Sequence, residues 1–312
     1  MFSSKDYVYE VYREKSFTLA AKKLFVSQPA LSASIKKTET ELGAELFDRR
    51  STPIRLTEAG KAYIEAVEQI YAIEENLKNR LSDINSLKTG SVIAGSASFI
   101  SSYLIPEILT AYKANFPGIT VDLIEDSSNE LKEKAINGLI DAVIDYDFDD
   151  AFFKSYPLKV EKIYIAALKG SAVAERLAEY TVTGAEVKSG RDKKTPPVPI
   201  SLLADERFIL LKRGNNMHTH ASNVFKDAGV SPKNSIWLDQ QMTAYNVCLK
   251  GLGLAFVTDT LIKTTEVKNA VFFRIDSAHA KRTLWIAHRK NMEVTGSLSR
   301  FISISQDVCK NI

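Results

Sequence analysis

Between residues 28 and 37 the chain places Gln28, Pro29, Ser32, Lys36 and Lys37 at spacings that share one side of a helix. Side chains of these types read duplex DNA: a glutamine amide bonds an adenine edge at two points, a short hydroxyl approaches a base, and lysines further along meet phosphates. Arg49, Arg50 and Arg55 follow after a break and add charge at a second point. The whole chain is nearly balanced, with 41 basic and 38 acidic residues for a net +3, so where the charge sits matters more than its total. It is concentrated from Lys15 to Arg55, which holds 8 basic and 4 acidic residues.

A second group consists of short hydroxyls, amides and one guanidinium. Ser96, Ser98 and Phe99, then Ser127, Ser128 and Asn129, then Arg213, Asn215 and Asn216 each follow a strand-like run. Open α/β units bind ligands at the carboxyl ends of their strands, where helix N-termini present unpaired amides. These residues suit a small polar or carboxylated molecule. Helix capping is the alternative role for each serine.

Other chemistry finds no support. Gly95-Ser96-Ala97-Ser98-Phe99 lacks the last glycine of a nucleophile elbow, and no base stands ready for either serine. The segment GLGLAF from Gly251 follows a helical run and lacks the third glycine of a dinucleotide loop. His218 and His220 are two apart and diverge on a helix, so neither a metal nor a cofactor is expected. Cys248 and Cys309 show no Cys-x-x-Cys spacing and read as buried free thiols in a reducing cytosol. The first residues, MFSSKDYVYEVYREKSF, lack the apolar core of a secretory signal, and no apolar run approaches the ~20 residues of a membrane span. The expectation is a cytoplasmic protein with no membrane partner.

The elements that position these residues fall into three regimes, which 312 residues at 45% hydrophobic content accommodate as two or three domains. Up to residue 57 there are short helices. Val8, Val11 and Tyr12 mark one; Phe17, Ala20, Ala21 and Leu24 mark the next, with Ser16 as its cap. Ser27 caps a third, Pro29 lies in its first turn, Leu31, Ile35, Thr38 and Leu42 share an arc, and Gly43 stops it. Leu46 to Arg50, a turn at Ser51-Thr52-Pro53, and Ile54 to Leu56 read as a hairpin wing. The same pattern would also suit a three-helix packing module with a solvated basic face.

From Thr57 to Lys88 one long helix is expected, with Tyr63, Val67, Ile70, Leu77, Leu81 and Ile84 as a stripe seeking a partner helix. From Ser91 strands and helices alternate, which predicts a parallel α/β sheet. The polar, proline-rich stretch between Tyr180 and Pro199 reads as an exposed loop.

The order SFTLAAKKLFVSQPALSASI, ELGAELFDRR and RLTEAG closely resembles the winged helix-turn-helix of LysR-type transcriptional regulators, and the rest of the chain follows that family more loosely. The resemblance implies an N-terminal all-α winged helix-turn-helix (1–57), a long dimerising linker helix (58–88), and a C-terminal two-lobed α/β effector domain like periplasmic binding proteins (91–312). Lobe I is expected at about 91–147 and 268–312, and lobe II at about 148–267, with crossings near Asp145–Asp150 and Val267–Ala270.

The implied function is effector-modulated binding of double-stranded operator DNA by a homodimer or homotetramer, with RNA polymerase as a further partner and no catalysis. Thr18 and Ser27 complete the expected DNA-contact set. The chain departs from the family at Ala33 and Thr52, where arginines are common, and at Thr38, where leucine is usual, so its base preference should differ from that of its relatives. A solute-binding protein would have no use for residues 1–57, and an enzyme would need converging acid, base or nucleophile groups.

Overall fold

The structure, a computed structural model, describes residues 2–51, 53–84, 90–232 and 235–311. Thr52 and residues 85–88, the wing tip and the expected end of the long helix, lie outside them, as does the side chain of Ile84. The chain divides near residue 80 into two compact units.

The first unit is built on α1 (Lys5–Glu14), α2 (Phe17–Lys23) and α3 (Gln28–Leu42), then a hairpin of β1 (Phe47–Asp48) and β2 (Arg55–Leu56), and α4 (Glu58–Ile84). Local chemistry sets the boundaries. The Ser16 hydroxyl accepts the Leu19 amide and the Ser27 hydroxyl accepts the Ala30 amide, so each satisfies a first-turn donor that has no partner within the helix. Gly43 ends α3 at φ 70°, a conformation that costs glycine nothing.

Val8, Val11, Ala20, Ala21, Leu31, Ile35, Leu46 and Phe47 form the core, closed by Tyr63, Ile64 and Val67 of α4. Burying side chains such as Leu31 and Ile35 contributes about 1.5–3 kcal/mol each. Gly60 sits directly on the Leu46 carbonyl, where no Cβ fits. The expected stripe on α4 therefore divides: its first residues pack on their own unit, while Leu77 and Leu81 are 56% and 52% exposed and Ile73 is 67% exposed.

The second unit contains two sheets that share one strand. In the first sheet β3 (Gly90–Ser96) runs parallel to β4 (Ile119–Glu125) and β5 (Ala142–Asp145), and β12 (Lys281–Arg289) and β6 (Phe153–Leu168) complete it antiparallel. In the second, β6 continues antiparallel to β10 (Leu254–Thr258) and β11 (Ala270–Arg274), β10 lies parallel to β8 (Phe208–Leu211), β8 to β9 (Ile236–Leu238), and β7 (Thr181–Val182) pairs with β11.

Helices α5 (Ser98–Tyr103), α6 (Ile105–Asn115), α7 (Ser128–Ile136) and α13 (Gly296–Asn311) belong with the first sheet. The second carries α8 (Ala172–Arg176), α9 (Gly184–Lys188), α10 (Asn216–Asp227), α11 (Gln241–Cys248) and α12 (Asp259–Thr264). Each sheet has its own apolar core, around Ile105, Tyr112 and Phe301 in one and Phe208, Phe256 and Phe272 in the other.

Three expectations are corrected here. The sheets are mixed rather than parallel, because β12 runs antiparallel to β5 and β6, and β6 runs antiparallel to β10 and β11. The crossings also lie elsewhere. β6 leaves β12 at Lys162 and joins β10 at Ile163, so the first crossing is inside β6 rather than at 145–150. The second lies between Arg274 and Lys281, because β11 stays in the second sheet instead of rejoining the first. The first half of β6 contains Pro157, which lacks an amide donor, and the ladder is irregular opposite it, at Leu284/Trp285.

Finally, the 180–199 stretch is folded, not looped. Val182, Val187 and Val198 are buried, Thr183 and Glu186 form a capping box, and buried Asp192 accepts from the Tyr164 hydroxyl at 2.9 Å.

Candidate nucleic-acid interface and effector crevice

On α3 the apolar arc of Leu31, Ile35 and Thr38 is buried, and this leaves Gln28, Pro29, Ala30, Ala33, Lys36 and Lys37 exposed with Ser32 half-buried. Gln28, Ser32 and Lys36 are four apart and form one row along the helix. Thr18 is exposed on α2. Ser27 is exposed at the start of α3, but its hydroxyl is already engaged in the cap. Arg50 and Arg55 are exposed on the hairpin.

Arg49 is different. Its guanidinium pairs with the Glu39 carboxylate at 2.9 Å, reaches the Ser32 hydroxyl at 3.3 Å, and lies 5.0 Å from the centre of the Phe17 ring. Glu39 is 8% exposed, and its other oxygen accepts the Leu46 amide. Arg49 thus ties the hairpin, α3 and α2 together, a positioning role beside the DNA contact expected from its sequence position. The one local signal was Glu39 following directly on the buried arc.

In the second unit, two adjoining cavities of about 240 and 580 Å³ open between the sheets and share Ala97, Ser98, Tyr146, Asn215, Asp239 and Gln240. Of the expected ligand residues, Ser98 lines both and Phe99 lines the smaller. Ser127, Ser128, Asn129, Arg213 and Asn216 line the larger, and Asn215 lines both.

Ser96 is not among the lining residues. It is fully buried, with its hydroxyl 2.7 Å from that of Ser101, because as the last residue of β3 it sits within the core. Several of the others also have structural work: Asn215 caps α10 through the Met217 amide, Ser127 accepts the Glu130 amide, and Ser128 donates to Asp145. Lys134 and the Ser127 amide hold the Asp126 carboxyl below its ordinary range.

One further residue of this crevice carries no signal in the local sequence. Arg282, 6% exposed on β12, pairs with fully buried Glu161 of β6 at 2.9 Å, donates to the Tyr146 hydroxyl at 2.8 Å and the Asn216 carbonyl at 3.3 Å, and lies over the Tyr146 ring at 3.6 Å. Asn216 in turn donates to Asp147 at 2.6 Å. Arg282 and Glu161 flank the two crossings, so one guanidinium joins both sheets and lines the smaller cavity. Its partners are 66 to 136 residues away, a separation no local pattern exposes.

Among the described residues no group of three His, Cys, Asp or Glu could hold a metal, and no helix is long and apolar enough to cross a membrane. Cys248 and Cys309 are buried in different cores, and burial pushes their thiols up to about 12 and about 11.

Comparison with known families places these two units. Residues 5–61 match the bacterial regulatory helix-turn-helix protein of the lysR family, and residues 86–186 and 190–310 match the LysR substrate binding domain. The chain belongs to the LysR family. This LysR regulator is 27% identical over 308 residues to the uncharacterized HTH-type transcriptional regulator YcgK of Bacillus subtilis, covering 98% of this chain and 94% of that one. It is 30% identical over 278 residues to a probable RuBisCO transcriptional regulator of Trieres chinensis, covering 88% and 85%.

Among solved structures, full-length CbnR complexed with its target DNA superposes with a TM-score of 0.73 at 20% identity, covering 99% of each chain. The LysR regulator is therefore an effector-modulated, sequence-specific DNA-binding protein and not an enzyme. The winged helix-turn-helix and the two-lobed α/β domain take the places that family assigns them.

Proposed function

We propose that this regulator binds a two-fold operator as a homodimer, or as a pair of dimers, with α3 in the major groove of each half-site. Gln28, Pro29 and Ser32 read base edges. Lys36, Lys37, Arg50 and Arg55 hold phosphates or the minor groove, assisted by Thr18 and Ser27, and Arg49 braces the hairpin while offering its exposed edge to the duplex. The observation that carries this reading is the polar, small and basic face that α3 leaves open once Leu31, Ile35 and Thr38 are buried. Exposed Ile73, Leu77 and Leu81 on α4 supply the seam that joins two copies. The protein works in the cytoplasm, where the duplex is.

A small molecule occupies the crevice lined by Ser98, Phe99, Ser127, Ser128, Asn129, Arg213, Asn215 and Asn216. It shifts operator binding only so far as it binds the two arrangements unequally, which in coupled sites is typically worth about 1–3 kcal/mol. RNA polymerase is the downstream partner. The test is a footprint of the purified full-length protein on its own upstream region, with and without a ligand found by thermal-shift screening. A protected palindrome whose extent changes with ligand supports the reading, and an unchanged footprint at ligand saturation contradicts the coupling.

A further inference from the structure

Helix α1 touches both α3 and the long helix α4. At its N-cap the Ser4 hydroxyl lies 2.8 Å from that of Ser34 on α3, and Val8 and Val11 share one buried core with Leu31 and Ile35. A polar cluster joins it to α4. The Tyr71 hydroxyl donates to the Asp6 carboxylate at 2.5 Å, and the Lys5 ammonium lies 3.2 Å from Asp6, 3.3 Å from Glu74 and 4.6 Å from the centre of the Tyr71 ring. Tyr9 meets that ring edge-on at 5.2 Å.

The place of this cluster along α4 gives it leverage. Among the described residues Val67 is the last on α4 to be fully buried, and exposed Leu77 lies about 15 Å farther along the helix. Tyr71 and Glu74 fall between them. Core packing therefore holds the first turns of α4, and the cluster holds the turns from which the apolar residues Ile73, Leu77 and Leu81 project.

Asp6 and Glu74 are 63% and 50% exposed, so their ion pairs with Lys5 add little to stability. A hydrogen bond is nonetheless directional, and it fixes an angle even where it contributes little as glue. Donor and acceptor also keep their protonation states near neutral pH. The bond from Tyr71 holds the Asp6 carboxyl below its ordinary range, and burial together with the same bond holds the Tyr71 hydroxyl above its own.

We propose that Tyr71 is a positioning residue for operator recognition: through Asp6 and α1 it fixes the angle between α3 and the outer half of α4, and thereby the half-site spacing that two joined copies accept. The proposal rests on α3 being the recognition helix and α4 the seam. Two recognition helices held by one seam stand a fixed distance apart, and the operator mirrors that distance. A change of angle acts twice, once in each copy.

The experiment measures the affinity of the full-length protein for the footprinted operator, for versions whose half-sites are moved one or two base pairs closer or farther apart, and for a duplex with a single half-site. The parent should prefer the native spacing by about tenfold or more, since any other spacing makes the DNA twist or bend to fit. Tyr71→Phe keeps the ring and loses only the hydroxyl. It should reduce that preference to about threefold or less, while binding the single half-site and sedimenting as the parent does. Asp6→Ala should do the same, and the double change no more than either, because each breaks the same bond.

A sharp spacing preference that survives Tyr71→Phe, or a loss equal on every duplex including the single half-site, overturns the positioning role and leaves α3 as the reader of DNA. A parent indifferent to spacing does the same. A parent that binds the single half-site no better than random duplex overturns the reading of α3, and the spacing role with it.

Discussion

The Arg49 guanidinium meets one oxygen of the Glu39 carboxylate at 2.9 Å, while the other oxygen accepts the Leu46 amide at the same distance. One buried carboxylate thus fixes the last turns of α3 to the start of the hairpin. Glu39→Gln keeps an acceptor for Leu46 and removes the ion pair. Because Arg49 is 42% exposed, the expected loss is about 1–2 kcal/mol in denaturant unfolding, not the larger cost of breaking a fully buried pair. Glu39→Gln/Arg49→Met should cost little more than either single change. Strict additivity would show that the two side chains do not act as a unit.

The exposed residues of α4 give a second prediction. Leu77→Glu with Leu81→Glu should convert the oligomer to monomers in sedimentation while helical content stays within a few per cent, because neither side chain supports the core of its own unit. Operator affinity should fall with it, since two recognition helices no longer bind as one. An unchanged oligomer would place the seam on another surface.

Peroxide should not switch this protein. Thiols held at about 12 and about 11 carry almost no thiolate at neutral pH, and Cys248 and Cys309 lie in separate cores and so cannot form a bridge without unfolding. Cys248→Ser/Cys309→Ser should bind operator and respond to ligand as the parent does, and native thiols should label with a disulfide reagent only as fast as the protein opens. Rapid labelling under native conditions would contradict this.

Stability should fall as the pH drops from 7 toward 5. His220 and His288 have pKa values lowered from the ordinary 6.5, chiefly by burial and against the opposing bonds to the His279 and Arg289 carbonyls. A histidine kept neutral in the fold binds more protons when unfolded, so its contribution is complete above about 6.5 and is lost as the pH falls below that value. Each adds a slope of at most about 1.4 kcal/mol per pH unit. His288→Gln should flatten the profile in that window. A profile that is flat in the parent would contradict it. The acidic groups held below their ordinary range, Asp6 and Asp126 among them, act only at lower pH.

What could be read from the sequence was local. Ser16, Ser27, Pro29 and Gly43 announce helix ends because a cap is a contact over three or four residues, and the buried arc of α3 repeats at helical spacing. What could not be read was set by distant pairing. β6 has no strand pattern up to Lys159, with a proline between two lysines, and becomes a strand because β12 lies beside it more than a hundred residues later. The basic, proline-rich stretch before Pro199 hides three buried valines and an aspartate whose partners are Tyr164 and Arg274. Ser96 and Arg282 exchanged roles for the same reason: the serine fell inside the core and the arginine fell in the crevice.

The most direct measurement compares Gln28→Ala and Lys36→Ala with the parent protein on operator and random duplex across a salt series. If the open face of α3 reads the operator, Gln28→Ala loses about 1–3 kcal/mol on the operator and almost nothing on random DNA, while Lys36→Ala weakens both and lowers the salt slope by about one unit. Equal losses on both duplexes for Gln28→Ala, or a salt slope untouched by Lys36→Ala, would contradict the account.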